Sequence, residues 1–143
     1  CVEPNAEIIN TLDKNKKYTN SNFTIIKGII TEEKNLKLFT DNDSIDNNFW
    51  GSTISKNKGI NINSFKLNTI PNINKINVLF ADCEGCLEKF LDEYEFFLSQ
   101  LRLIIYETDQ AHMCDYNKIE SILSNNKFNK IEVSGQMCVW IKN

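Results

Sequence analysis

Ile76-Asn77-Val78-Leu79-Phe80-Ala81-Asp82-Cys83-Glu84-Gly85-Cys86-Leu87-Glu88 joins an apolar run of strand length to two carboxylates and a glycine, and a helical pattern begins at once. This reads as a strand–helix unit with acid at its tip. In open α/β sheets ligands bind beyond the carboxyl ends of the strands, so Asp82 and Glu84 stand where chemistry is usually placed. The helix that follows has the clearest pattern in the chain: Leu87, Phe90, Leu91, Tyr94, Phe97, Leu98 and Leu101 recur at helical spacing. Such a face belongs against a core, and its aromatic rings read as packing rather than ligand contacts.

The same plan recurs on both sides. Downstream, Arg102-Leu103-Ile104-Ile105-Tyr106 is a short buried strand running into Glu107-Thr108-Asp109. Asp115 is placed to cap a further helix with Ile119, Ile122 and Leu123 as its stripe, ending at Asn125-Asn126. Lys130-Ile131-Glu132-Val133 and Met137-Cys138-Val139-Trp140-Ile141, joined by Ser134-Gly135-Gln136, predict a terminal antiparallel hairpin. Upstream, residues 60–67 alternate as a strand before Pro71. Residues 22–30 are β-branched and dense, as in a buried parallel strand. Leu36, Leu38 and Thr40 alternate with Lys37 and Phe39, which indicates a more exposed one. Residues 41–58 are polar, carry Phe49-Trp50-Gly51-Ser52 and have no period; they read as a loop over a site or as a surface loop with one aromatic anchor. At the start, Val2-Glu3 ends a strand in an acid, and Pro4 opens a helix predicted to about Lys17, faced by Ile8, Ile9 and Leu12. The alternation predicts an α/β fold with a mainly parallel sheet, organised as a single domain over residues 1–143.

A chain of 143 residues, 41% apolar and 24% charged, can bury a sizeable core and is not disordered. The net charge is −3 and the basic residues are scattered, with Arg102 the only arginine, so no nucleic-acid groove is indicated. No apolar run approaches the roughly 18 residues needed to span a bilayer. No signal-peptide pattern opens the chain either, and the expectation is a cytoplasmic protein with no membrane partner. The five cysteines, Cys1, Cys83, Cys86, Cys114 and Cys138, are odd in number and lack the spacing of a secreted disulfide framework, which predicts reduced thiols. A second reading stays open for Cys83-Glu84-Gly85-Cys86. With His112 and Cys114 it could bring four soft ligands to one sheet edge as a zinc site, although a single C-x-x-C is modest support.

The acids at Glu3, Asp82 and Glu107 would converge on one edge of a parallel sheet. Val2-Glu3-Pro4-Asn5, Asp82-Cys83-Glu84-Gly85 and Ile104-Ile105-Tyr106-Glu107, in this order and spacing, resemble the FkbM-type S-adenosylmethionine-dependent methyltransferases over almost the whole chain. The Asp-x-Glu-Gly tip is the most specific part. The resemblance implies a Rossmann-like sheet with a final antiparallel hairpin, S-adenosyl-L-methionine as cofactor, and methyl transfer to a hydroxyl oxygen, frequently of a sugar or glycan. By position it implies that Glu3 holds the cofactor ribose, with Asn5 and Asp82 also on the cofactor side. Asp82 and Glu84 would lie beside the methionine end and the acceptor, and Glu107 would line the acceptor side. His112, the only histidine, follows the Glu107 strand and is a candidate base; its other reading is a loop histidine facing water.

The chain departs from the family at Leu87, where another Glu is usual, and at Asp109, where a His is common. It also contains no G-x-G turn. In the family that turn follows a first strand lying between the strands that end at Glu3 and Asp82. The expectation is therefore two half-sheets with open edges, completed by upstream sequence or by a partner chain. The rival expectation is a methyltransferase-fold module that has lost catalysis and serves as a structural or interaction subunit.

Overall fold

In the computed structural model, which describes residues 1–40 and 52–142, the chain forms two units, Cys1–Thr69 and Ile70–Asn143. The first contains β1 (Val2–Glu3), α1 (Ala6–Tyr18), β2 (Ile26–Lys27), β3 (Ile29–Ile30), β4 (Lys37–Thr40), β5 (Ser52–Ser55), β6 (Ile60–Asn61) and β7 (Ser64–Phe65). Its first helix starts two residues later than the proline suggests. Asn5 is the cap, its side-chain oxygen accepting the Glu7 N–H at 2.9 Å, because an Asn there satisfies an N–H that the helix leaves unpaired. The dense run at 22–30 is two strands, not one. β2 pairs in parallel with β1 and β3 with β7, and Gly28 lies between them. A Cβ at Gly28 would stand 2.3 Å from the Asn63 carbonyl oxygen, so only glycine lets the backbones approach closely enough for the change of partner.

β4 is the middle of an antiparallel sheet of order β5-β4-β6, with Leu36 and Leu38 buried beneath it. The polar segment expected as a loop to residue 58 thus ends in a strand; its Phe49-Trp50-Gly51 part lies outside the described residues. The strand expected at 60–67 divides into β6, β7 and a 3-10 turn, Leu67–Thr69.

The second unit contains β8 (Val78–Ala81), α2 (Leu87–Tyr94), β9 (Leu103–Glu107), α3 (Tyr116–Asn125), β10 (Phe128–Ser134) and β11 (Met137–Lys142). The sheet order is β10-β11-β9-β8. β8 and β9 run parallel because a helical crossover joins them, whereas Gly135-Gln136 can only return the chain antiparallel. The protein is therefore mixed α/β. Its parallel pairs are accompanied by antiparallel ones, where the pattern suggested a mainly parallel sheet.

The α2 stripe continues past Tyr94 through a 3-10 turn, Glu95–Ser99. Leu91, Leu98, Leu101, Ile104, Tyr106, Ile119 and Leu123 are at most 1% exposed and form the core of this unit. Asp115 caps α3 as expected, its carboxylate accepting the Lys118 N–H at 3.0 Å. Lys118 Nζ then ties α3 to α2 through Glu88 at 2.9 Å and Asp92 at 2.8 Å. Ile104 and Tyr106 point into the core, so the alternate residues of β9 point away from it. By register Val78 and Phe80 share that second face with Leu103 and Ile105, and they are 46% and 61% exposed. Among the described residues no strand pairs with the outer edge of β8. No helix among them is long and apolar enough to cross a membrane.

Leu98→Ala should lower the stability of the second unit by about 2–5 kcal/mol, as for other buried leucines. Phe80→Ser should change it by less than about 1 kcal/mol, as for exposed positions. Urea unfolding of both variants measures the difference, and equal losses would mean that Phe80 is packed.

Candidate functional site

The carboxyl ends of β8 and β9 lie side by side, with Ala81 opposite Tyr106, so Asp82 and Glu107 occupy the next register position. Their carboxyl groups face each other, and the contact with Asp82 is the first cause that holds the Glu107 carboxyl above the usual glutamate range. Beyond the tip the chain turns through Glu84 at φ 50° and Gly85 at φ 83° into α2. Two successive left-handed residues make the turn sharp, and the non-glycine one costs about 1–2 kcal/mol. Gly85 is also pressed against the 110–114 turn, where a Cβ would sit 3.3 Å from Cβ of Gln110 and 3.4 Å from that of Met113. The turn thereby carries Glu84 onto residues that follow β9. Its carboxylate accepts the Gln110 side-chain N–H at 2.6 Å and hydrogen-bonds the Asp109 carboxyl group. Gln110 is steadied by its backbone N–H, which donates to the Tyr116 hydroxyl at 3.3 Å.

Four carboxyl groups therefore meet in two pairs, Asp82 with Glu107 and Glu84 with Asp109. Burial is the main reason that Glu84 titrates above the usual glutamate range; the Gln110 bond opposes it, and Asp109 and Asp82 add to it. For Glu107 the bond to Asp82 comes first, followed by burial and the charges of Asp82 and Asp109. Like-charged groups this close cannot all ionise together. Glu84 and Glu107 are thereby held above the usual glutamate range, and a group of carboxyls of this kind attracts a cation.

Glu3 and Asn5 belong to the first unit, where Glu3 Oε1 accepts the Asn5 N–H at 2.7 Å and Asn5 caps α1. His112 is exposed and lines an open depression of about 460 Å³ along 111–117, whose lining includes none of the four carboxylates.

Cys83 and Cys86 form a disulfide, which corrects the expectation of reduced thiols at those two positions. The Glu84-Gly85 turn folds the Cys86 N–H back onto the Cys83 carbonyl at 3.1 Å, and the Cα atoms come within 5.4 Å, inside bridging range. Cys1, Cys114 and Cys138 are free. The disulfide engages two of the four soft ligands considered for zinc. Among the described residues no group of three or more His, Cys, Asp or Glu side chains is arranged to hold a metal ion.

Asp109, marked in the sequence as a departure from the family, joins the site because it lies two residues after Glu107 and so on the same side of an extended chain. Gln110 carries no signal in the sequence, because its partner is 26 residues away and a lone glutamine has no pattern. The chain matches no protein-family model, no curated protein and no solved structure.

Glu84 and Glu107 have folded pKa values raised above the ordinary 4.5. Their contribution to stability is complete below that value and is lost as pH rises through the raised ones. Glu107→Gln should therefore raise the melting temperature at pH 7, with the gain shrinking to nothing below the usual glutamate pKa. A melting temperature lowered at pH 7 would contradict the upward shift of Glu107.

Proposed function

We propose that the protein is an S-adenosylmethionine-dependent O-methyltransferase of the FkbM type, with a Rossmann-like sheet and a sugar or glycan hydroxyl as acceptor. The observation that carries this reading is the carboxyl quartet at the ends of two adjacent parallel strands, three of whose members, Asp82, Glu84 and Glu107, belong to the stretches through which the sequence resembles that family. The quartet fits the cofactor's charge. A crowded set of carboxyl groups is relieved by a cation, and the methionine end of S-adenosyl-L-methionine carries a sulfonium and an ammonium. When bound, that cofactor supplies an electrophilic methyl group. The chain's part is to align an acceptor hydroxyl and to take its proton, for which Glu84 and Glu107, with their raised pKa values, are the suited groups. His112 stands as a second candidate for the proton. The reading also calls for a strand beside the outer edge of β8, from the natural chain or from a partner.

A second reading, a methyltransferase-fold module without catalysis that serves as a structural or interaction subunit, is favoured by one specific feature. The sequence has no G-x-G turn to hold the methionine carboxylate.

Isothermal titration of the full-length protein separates the two. S-adenosylmethionine should bind about tenfold more tightly than S-adenosylhomocysteine, roughly 1.4 kcal/mol, because only the former carries the sulfonium charge. Glu84→Gln should narrow that preference. Absence of binding by either compound would overturn the transferase reading and leave the interaction module.

A further inference from the structure

The Cys83-Glu84-Gly85-Cys86 ring lies between β8 and α2, and methyl transfer makes no use of its sulfurs. Its two cysteines are accessible to different degrees from the others in this unit: Cys86 is exposed and Cys83 half-buried, whereas Cys114 and Cys138 are buried. The ring encloses Glu84, a non-glycine residue held at φ 50°, and that conformation aims its carboxylate at Gln110 at 2.6 Å. A residue other than glycine keeps such a backbone only where its surroundings impose it. Here a covalent bond spans the turn alongside the Cys86 N–H bond to the Cys83 carbonyl and the Gln110 contact, so opening the covalent bond removes one of the constraints on Glu84. Gly85 in the same ring packs on the 110–114 turn, so a change of ring shape is felt there too.

We propose that Cys83 and Cys86 form a dithiol–disulfide exchange site for low-molecular-weight thiols and disulfides, and that the closed ring is what holds Glu84 against Gln110. In the oxidising direction both protein thiols lose their protons to water. The Cys86 thiolate attacks one sulfur of a small disulfide RSSR; the RS–SR bond breaks, a Cys86–SR bond forms, and RS⁻ leaves and is protonated. The Cys83 thiolate then attacks Sγ of Cys86, closing the ring and expelling the second RS⁻, which is protonated in turn. Two electrons pass from the cysteines to RSSR, which ends as two RSH. The reverse reaction with two RSH opens the ring.

The test uses the full chain in a series of reduced and oxidised glutathione mixtures, trapped with N-ethylmaleimide under native conditions and analysed by mass spectrometry of the tryptic peptide 76–89, which carries both cysteines. The peptide should pass between zero and two labels in one two-electron step, while Cys114 and Cys138 stay unlabelled. Cys83→Ser should leave Cys86 as a mixed disulfide with glutathione. In parallel, the side-chain amide resonance of Gln110, assigned through Gln110→Glu, should shift when the ring opens, and Cys86→Ser should hold it at the open position at every glutathione ratio. Full labelling of both cysteines in oxidised glutathione would overturn the exchange site. An unmoved Gln110 resonance would overturn its hold on Glu84. Neither readout involves a methyl donor, so loss of the transferase reading would leave this one standing.

Discussion

Leu98, Leu101, Ile104, Tyr106, Ile119 and Leu123 share one dry layer between the helices and the sheet, and the candidate groups are placed by it. Ile104 and Tyr106 fix the facing of β9, which sets the direction in which Glu107 leaves the strand. β8 is then aligned by its ladder to β9, and that ladder places Asp82 beside Glu107. At the far side of the tip, Leu87 is buried as the first residue of α2, and the Lys118 bridge holds α2 to α3. The 82–86 turn is thus anchored at both ends by packing. Its own conformation is left to Gly85 and the disulfide. The layer tolerates two buried polar atoms without a hydrogen bond of normal geometry, the Tyr106 hydroxyl and the Trp140 indole N–H, and burial pushes the Tyr106 pKa upward.

The acids of this unit divide by partner. Glu88 accepts the Asp115 backbone N–H at 2.8 Å and the Lys118 ammonium, and these bonds hold its carboxyl below the usual range. It therefore supports the fold above the ordinary glutamate pKa and stops doing so on acidification. Glu84 and Glu107 lie a few residues away in the opposite condition, facing other carboxyl groups. Neighbouring acids with opposite effects on stability indicate that the cluster is not there to stabilise the fold. A left-handed glutamate in the same turn points the same way.

The long-period signals were legible in the sequence. The stripe from Leu87 to Leu101 packs as its spacing indicates, although the helix tightens to 3-10 after Tyr94, where Phe96 faces solvent and Phe97 and Leu98 are buried in succession. The Asp115 cap and the terminal hairpin were also readable, since each is decided by neighbours within a few residues. What escaped depends on contacts between distant segments. The break at Gly28 is imposed by the Asn63 carbonyl, 35 residues on, and no local preference separates it from a continuous strand. The cysteine pair is a different case: C-x-x-C is compatible with thiols, a metal or a ring, and the choice falls to the backbone between them, where Glu84 and Gly85 both turn left-handed.

β8 sits at the boundary of these considerations. Val78-Leu79-Phe80-Ala81 is apolar on both sides, the pattern of a strand covered on two faces, yet Val78 and Phe80 are exposed and one edge is unpaired among the described residues. Glu107 alternates with Ile105 and Leu103, so the Asp82–Glu107 pair projects from this uncovered apolar face. Water is the main solvent of that pair as the structure stands. Any group that came to cover Val78 and Phe80 would remove part of that water. Desolvation disfavours ionisation, so Glu107 would titrate higher still. Cover of the sheet and protonation of the site are therefore coupled through the same strand, whichever molecule provides the cover.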